Sequence, residues 1–507
     1  MRSATVASWI NLFVQMAGTI VIIPLIWNRW GDMELGVFLL ISSVTRFSLL
    51  FSDRLAMSFA TSFAFVAAGS RSIRPVTAVS VATDTHQAHN AADQPHQRSS
   101  TELYSALFET LGSILFGVSI VMGTLASSIS LPSMFYLCSG FGGANTDCIA
   151  AMSLSLLTTV LRINLVRYEI FLRGLDKVAT LARWNALFNC VGLAAIIVCV
   201  YWGGTILHWA LLMNGTILLA GIRNIFLAWA QRSQFDVREA QLFGWDTEVI
   251  EAIWSPTWRG LINSISYIGG DEMVVLLTPF FLSGQETTQF LLYNRCFSVV
   301  GPIAQIPLTA RLPYISRLVS SGNIERLKAF MLTRFLFCGL LVLIGGNLVA
   351  IGVPILAALS GREITQIPLA VWSLIVFLYI IERLNVFFNA VLESGNRITL
   401  VRRRLFVTLA SLVLLPILIK GFGMIGGFLS VLLPRTLMIH RLVVNDLVKF
   451  SSTSFKDIAS MTYFPLLGIQ LMICGGLWLC AISGYDLDVS SAVNRVFEIV
   501  LLFMRGD

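Results

Sequence analysis

Residues Trp254 to Leu318, WSPTWRGLINSISYIGGDEMVVLLTPFFLSGQETTQFLLYNRCFSVVGPIAQIPLTARLPYISRL, decide the fold. They contain two apolar segments of membrane-spanning length joined by a short polar loop. Charge sits well inside each segment: Asp271 and Glu272 in the first, Arg295 in the second. A charge near the bilayer centre costs about 2.5 to 3.5 kcal/mol even on mild scales, so such residues turn toward protein or a watery cavity. The stretch therefore predicts membrane helices around a polar lumen.

The rest of the chain follows the same pattern. With 56% hydrophobic and 12% charged residues over 507 positions, it breaks into recurrent apolar runs. Their length, about 20 residues, is what a helix needs to cross a bilayer. The chain reads as an all-α polytopic membrane protein. A first helix is expected at about Val6 to Trp27, with no signal-peptide cleavage site behind it. A second, over thirty residues long, runs from about Glu34 to Ala68. Four more, at about Leu103 to Ala126, Ile149 to Tyr168, Val178 to Tyr201 and Thr205 to Ala230, complete a first lobe of six helices over residues 1–230.

Residues 231–256 form a polar, aromatic connector with helical periodicity, expected on the membrane surface. Six further segments make a second lobe over 257–445: Thr257 to Phe281, Thr288 to Pro313, Leu327 to Ile351, Gln366 to Phe388, Val401 to Ile419 and Met424 to Val444. The remainder, 446–507, adds a thirteenth segment at about Phe464 to Ser483. It ends in a stretch, Ala492 to Met504, that suits a short span and an interfacial helix equally.

Placing the amino terminus in the cytoplasm assigns Arg71, Arg74, Arg98, Arg173, Lys177, Arg232, Arg326, Arg402, Arg403, Arg404 and Lys449 to inside loops. Little beyond Arg29, Arg362 and Lys420 falls outside. That is the positive-inside bias, and the net charge of +7 is read as orientation rather than as a nucleic-acid surface. The polar loop 71–101 carries His86, His89 and His96, but without Cys or clustered carboxylates it predicts a solvated loop and no metal site. Cys138 and Cys148 bracket SGFGGANTD, where a disulfide and two unpaired thiols are equally open. Pro302, Pro307 and Pro313 predict a kinked eighth helix.

The two lobes begin alike. Pro24 and Pro279 fall near the ends of their first helices, and Arg46 and Arg295 lie in the helices that follow. Six helices per lobe is an even number, so the repeats are expected to be related by an axis along the membrane normal. PLIWNRWGDMELGVFLL (24–40), SDRL (52–55), FLRGLDK (171–177), LSGQETTQFLLYNR (282–295) and GFGMIGG (421–427) together resemble the Wzx-type polysaccharide flippase family of the multidrug/oligosaccharidyl-lipid/polysaccharide (MOP) exporter superfamily. The resemblance spans nearly the whole chain. It implies two six-helix lobes around a V-shaped cavity in the bacterial inner membrane. It also implies alternating access that carries a polyprenyl-diphosphate-linked oligosaccharide to the periplasmic leaflet, beside a polysaccharide polymerase and export machinery. The long loop after the second helix and the carboxy-terminal extension depart from the family's usual pattern.

A diphosphate cannot cross hydrocarbon bare, so a carrier needs cations at depth. Arginine suits the task because its planar fork holds phosphate oxygens in pairs and stays charged. Arg46, Arg162, Arg295 and Arg383 are the candidates. Each has an ordinary alternative, pairing with a carboxylate or snorkelling to an interface. Arg54, Arg167 and Arg311 sit nearer the cytoplasmic ends and read as anchors. Asp271 and Glu272, after Gly269 and Gly270, are the candidates for gating or for coupling to a proton or sodium gradient. Adjacent helix positions point about 100° apart, so one is expected to face the lumen while the other pairs with an arginine. Asn11 and Gln15 supply only neutral polarity to the first helix. Glu169 and Arg173 have the spacing of an ordinary helical ion pair. Short external loops and the absence of a catalytic constellation argue against an enzyme, and no cofactor is called for. An exporter of drugs or of lipid-linked peptidoglycan precursor is the nearest rival reading.

Overall fold

The computed structural model describes residues 21–67, 100–143, 145–232, 243–309, 323–362, 367–394, 401–451 and 454–482, with isolated positions between 311 and 368. Asn11, Gln15, the loop 71–99 and the segment Ala492 to Met504 lie outside the described residues, as do the side chains of Asp53 and Arg54.

The described chain is helical throughout its regular structure. Residues 21–30 form α1. They are followed by α2 (Asp32–Ala67), α3 (Ser100–Ser139), α4 (Thr146–Gly174), α5 (Val178–Tyr201) and α6 (Ile206–Arg232). Helix α7 has three parts: Thr247–Ser264, a π-helical turn Ile265–Gly269, and Gly270–Leu277. Then come α8 (Gly284–Thr309), α9 (Ile324–Leu359), α10 (Leu369–Ser394) and α11 (Val401–Phe422). Helix α12 joins Met424–Pro434, a π-helical turn Arg435–Ile439 and His440–Ser451. Helix α13 joins Phe455–Ile458, a π-helical turn Ala459–Tyr463 and Phe464–Ile482. Among the described residues, eight helices are long and apolar enough to cross a membrane. Helix α8 continues through Pro302 and Pro307 to Thr309.

Several helices outrun the apolar runs that predict them. Helix α3 goes on past Ala126 through a serine-rich stretch. Ser127 donates to the Gly123 carbonyl at 2.6 Å, Ser128 to Leu125 at 2.9 Å and Ser130 to Ala126 at 2.6 Å. Hydroxyls bonded back to the preceding turn are neutral toward the bilayer, which extends a helix beyond its hydropathic end.

Tertiary packing divides the chain into two units: Met1–Thr19, Ile41–Pro132 and Asn145–Gly269 in the first, and Ile20–Leu40, Ser133–Ala144 and Gly270–Asp507 in the second. The first unit centres on an aromatic cluster of α2, α3 and α4. Phe171 meets Phe63 at 5.5 Å and Phe108 at 5.9 Å, both edge to face, the favoured geometry for ring pairs. The connector docks on α3 before α7 begins: Ser113 donates to the Gly244 carbonyl at 2.7 Å, and the Asp246 amide to Thr110 at 3.2 Å. Asp246 then caps α7 by accepting from the amides of Glu248 and Val249. Helices α5 and α6 bury only 17% of their apolar windows, leaving a face that suits lipid.

In the second unit, Phe297 of α8 lies 5.1 Å from Trp372, 4.8 Å from Tyr379 and 5.9 Å from Phe428, tying α8 to α10 and α12. Two of the sequence motifs meet here, where Thr288 donates to the Asp32 carbonyl at 3.1 Å. At the aqueous start of α13, Ser454 and Asp457 form a reciprocal capping box. The Lys328 ammonium 2.7 Å away, with that cap, holds the Asp457 carboxyl below its ordinary range. Cys138 and Cys148 are both buried.

Candidate functional site

The densest polar cluster lies in the second unit, where α7, α10 and α12 meet. Two of the three contributing helices, α7 and α12, are perturbed at that level. The π-helical turn Ile265–Gly269 ends just before Asp271, and a second begins at Arg435 itself, after Pro434. A π-turn inserts one residue into the helical repeat and re-aims the side chains that follow, and such turns gather at functional positions. Here they aim two opposite charges at each other: Arg435 Nη2 lies 2.8 Å from Asp271 Oδ1. Gly270 makes room, since a Cβ there would sit 2.8 Å from Thr408 Cγ2 and 3.5 Å from Arg435 Nη2.

Arg435 is shared. Its Nη1 lies 3.2 Å from Glu382 Oε1, while Glu382 Oε2 accepts from Arg383 Nε at 2.5 Å. Arg383 also stacks over the Tyr379 ring at 4.9 Å, and it occupies space that a Cβ on Gly301 would take. Two carboxylates and two guanidiniums thus alternate in a chain. Glu382 and Arg435 have side chains only 1% and 6% exposed, whereas Asp271 is 32% exposed and forms the open end. Alternation is what makes such burial tolerable, because an isolated ion in this environment loses several kcal/mol of hydration. A neutral polar relay adjoins it. His440 Nδ1 lies 2.6 Å from Asn385 Oδ1, and His440 Nε2 lies 2.9 Å from the hydroxyl of Tyr463, in the third π-turn.

The sequence-derived candidates separate as follows. Asp271 pairs with Arg435, and Glu272 is buried at 4% exposure. Arg383 belongs to the charge chain. Arg295 is half-buried on α8, and Arg46 is half-buried on α2 in the first unit. Arg162 lines a cavity of about 260 Å3 in the first unit, between α4, α5 and α6. Glu169 and Arg173 form the expected ion pair at 2.6 Å on the rim of that cavity.

Arg435 and His440 were missed. The criterion that selected Arg295, a charge many residues inside an apolar segment, applies equally to Arg435 in MIGGFLSVLLPRTLMIH, and Pro434 beside it marks the backbone irregularity. Among the described residues no group of three or more His, Cys, Asp and Glu side chains could hold a metal ion.

No family model matches the chain, and no curated protein matches it. Solved structures do. An inward-facing multidrug resistance MATE family transporter of the MOP superfamily is 12% identical over 88% of this chain and 99% of that one, with a TM-score of 0.59. The lipid II flippase MurJ, inward closed, is 13% identical over 100% of both chains, with a TM-score of 0.55. A MOP superfamily transporter from Pyrococcus furiosus Vc1 is 12% identical over 89% of this chain and 96% of that one, with a TM-score of 0.50. At these identities the likeness is one of fold, and the chain has the all-helical, multi-pass fold of MOP superfamily transporters.

Proposed function

We propose that the chain is a flippase of the bacterial inner membrane, moving a polyprenyl-diphosphate-linked oligosaccharide from the cytoplasmic to the periplasmic leaflet by alternating access. The observation that carries this reading is the set of arginines at membrane depth on a transporter fold: Arg46, Arg162, Arg295 and Arg383, joined by Arg435. Guanidiniums held in an apolar setting suit the diphosphate of a lipid-linked sugar, and they would repel the cations that many drug exporters carry. Membrane lipids and the polysaccharide polymerase and export machinery are the expected partners.

Asp271 and Glu272 are assigned to gating or to coupling with protons or sodium. Asp271 is the more exposed end of the charge chain, so its protonation would release Arg435 toward Glu382 alone. Transport by Asp271→Asn and Glu272→Gln under an imposed proton or sodium gradient tests the assignment. Loss of gradient response in one of them is expected, and full response in both would remove it.

A second reading, a carrier of lipid-linked peptidoglycan precursor, is favoured by one observation: the likeness to MurJ takes in the whole of both chains. Depleting the protein and analysing the lipid-linked intermediates of the cytoplasmic leaflet distinguishes the two. Accumulated lipid-linked oligosaccharide is the expected result, and accumulated peptidoglycan precursor would support the second reading. Normal export with neither accumulating, in cells lacking a redundant flippase, would overturn both.

A further inference from the structure

We infer that the cavity between α4, α5 and α6 is a binding site for a phosphate group, built wholly within the first unit. The site shares Arg162 with the flippase reading and in that respect rests on it, but its test reads binding rather than transport, so the two can fail separately. The cavity, about 260 Å3, has Arg162, Glu169, Arg173, Asn185, Thr216 and Asn224 among its lining residues. At roughly 30 Å3 per water it could take a phosphate or diphosphate group with its nearest waters.

The wall offers donors. Arg223 supports it, donating from Nη2 to Asn185 Oδ1 at 2.7 Å and to Asn224 Oδ1 at 2.7 Å, and from Nε to Asn224 Oδ1 at 3.1 Å. A guanidinium has no acceptor, so the atoms facing it must be the amide oxygens. That fixes both asparagines with their oxygens committed and their NH2 groups as the ends each can offer a ligand. Arg223 is itself held over the Phe188 ring at 5.0 Å, and its Nη1 is buried without a hydrogen-bond partner. Glu169 is the one carboxylate in the wall, and Arg173 engages it at 2.6 Å. Two arginines against one carboxylate leave the lining net positive, and Arg223 adds a third cation behind it. Amide donors and guanidiniums converging on one cavity form an anion site, and charge-assisted bonds of this kind are the strong ones. The lining residues come from the carboxy-terminal half of α4, the amino-terminal half of α5 and the stretch of α6 from its middle toward its carboxy-terminal end. All three share one end of the helix set, beside the FLRGLDK turn, and on the expected orientation that end faces the cytoplasm.

The test uses the full chain in a maltoside detergent, which carries no phosphate. One arm titrates inorganic pyrophosphate calorimetrically; the other follows retention of phosphatidic acid by native mass spectrometry. Asn185→Asp and Asn224→Asp keep an oxygen for Arg223 while replacing the donor by an acceptor of nearly the same shape, so folding should survive. Each is expected to weaken binding at least tenfold, as is Arg162→Gln, while Arg326→Gln, outside the cavity, leaves it unchanged. Pyrophosphate binding with these losses shows that the free group is recognised. Retention of phosphatidic acid alone, with the same losses, identifies the source as a lipid headgroup. Absence of saturable binding of either probe, or wild-type affinity in all three cavity variants, overturns the inference.

Discussion

Replacing Arg435 by Met is expected to destabilise the second unit by about 3 to 5 kcal/mol, the loss that follows removal of one partner from a buried ion pair. The side chain of Arg435 is 6% exposed and that of Glu382 1%, and Arg435 is ion-paired with both Glu382 and Asp271. Without it, the carboxylates of Asp271 and Glu382 remain at the junction of α7, α10 and α12, with Arg383 paired to Glu382. Methionine fills similar volume, so the loss would report charge rather than a cavity. Adding Glu382→Gln to the variant should recover part of the loss, because contacting residues couple by about 0.5 to 3 kcal/mol. Denaturant unfolding in detergent checks both. A loss under about 1 kcal/mol, the scale of an exposed pair, would mean that water screens the cluster.

Arg435 also marks where sequence reading stops. Hydropathy and charge place the membrane helices and even their order, because both are properties of segments. Val178 to Tyr201 is the same in sequence and structure. That one of Asp271 and Glu272 pairs with an arginine follows from helical geometry, but which one does not, and the arginine is 164 positions away on another helix, as the numbering of the pair shows. What brings them together is two π-turns, and hydropathy is blind to an extra residue in a helical turn. Gly269, Gly270 and Pro434 are the only local signs.

Arg223 was missed for a different reason. It lies nine residues before the end of α6, as the helix boundary shows, in a region where basic residues are expected as topological anchors. Its two asparagine partners, not its own position, give it a role, and those partners are 38 residues away and one residue away. The loop and terminal stretches carry no periodicity from which a contact could be argued.

Within GFGMIGG, two alanine substitutions five residues apart are expected to have opposite effects. Gly423 takes φ of +56°, in the region that favours glycine, and turns the chain from α11 into α12. Its amide donates to the Ile419 carbonyl at 2.8 Å, and the Gly426 amide donates to Gly423 at 3.0 Å. This folds α12 back so closely that a Cβ on Gly426 would overlap the Leu418 carbonyl and lie 2.6 Å from the Ile419 nitrogen. Both are backbone atoms inside α11, which cannot rotate aside as a side chain can. Relief would require moving one helix against the other. Gly426→Ala should therefore cost about 1 to 3 kcal/mol, toward the upper end for overpacking. Gly421→Ala, in the last turn of α11 with nothing within 4 Å of the added carbon, should be neutral or stabilise by up to about 1 kcal/mol. Unfolding midpoints of the two variants give the comparison directly. Equal midpoints would show that α11 and α12 are not held at backbone distance. A large gap would locate a rigid hairpin beside the π-turn that carries Arg435, so that the geometry of the charge chain is set in part by a glycine nine residues before it in the sequence.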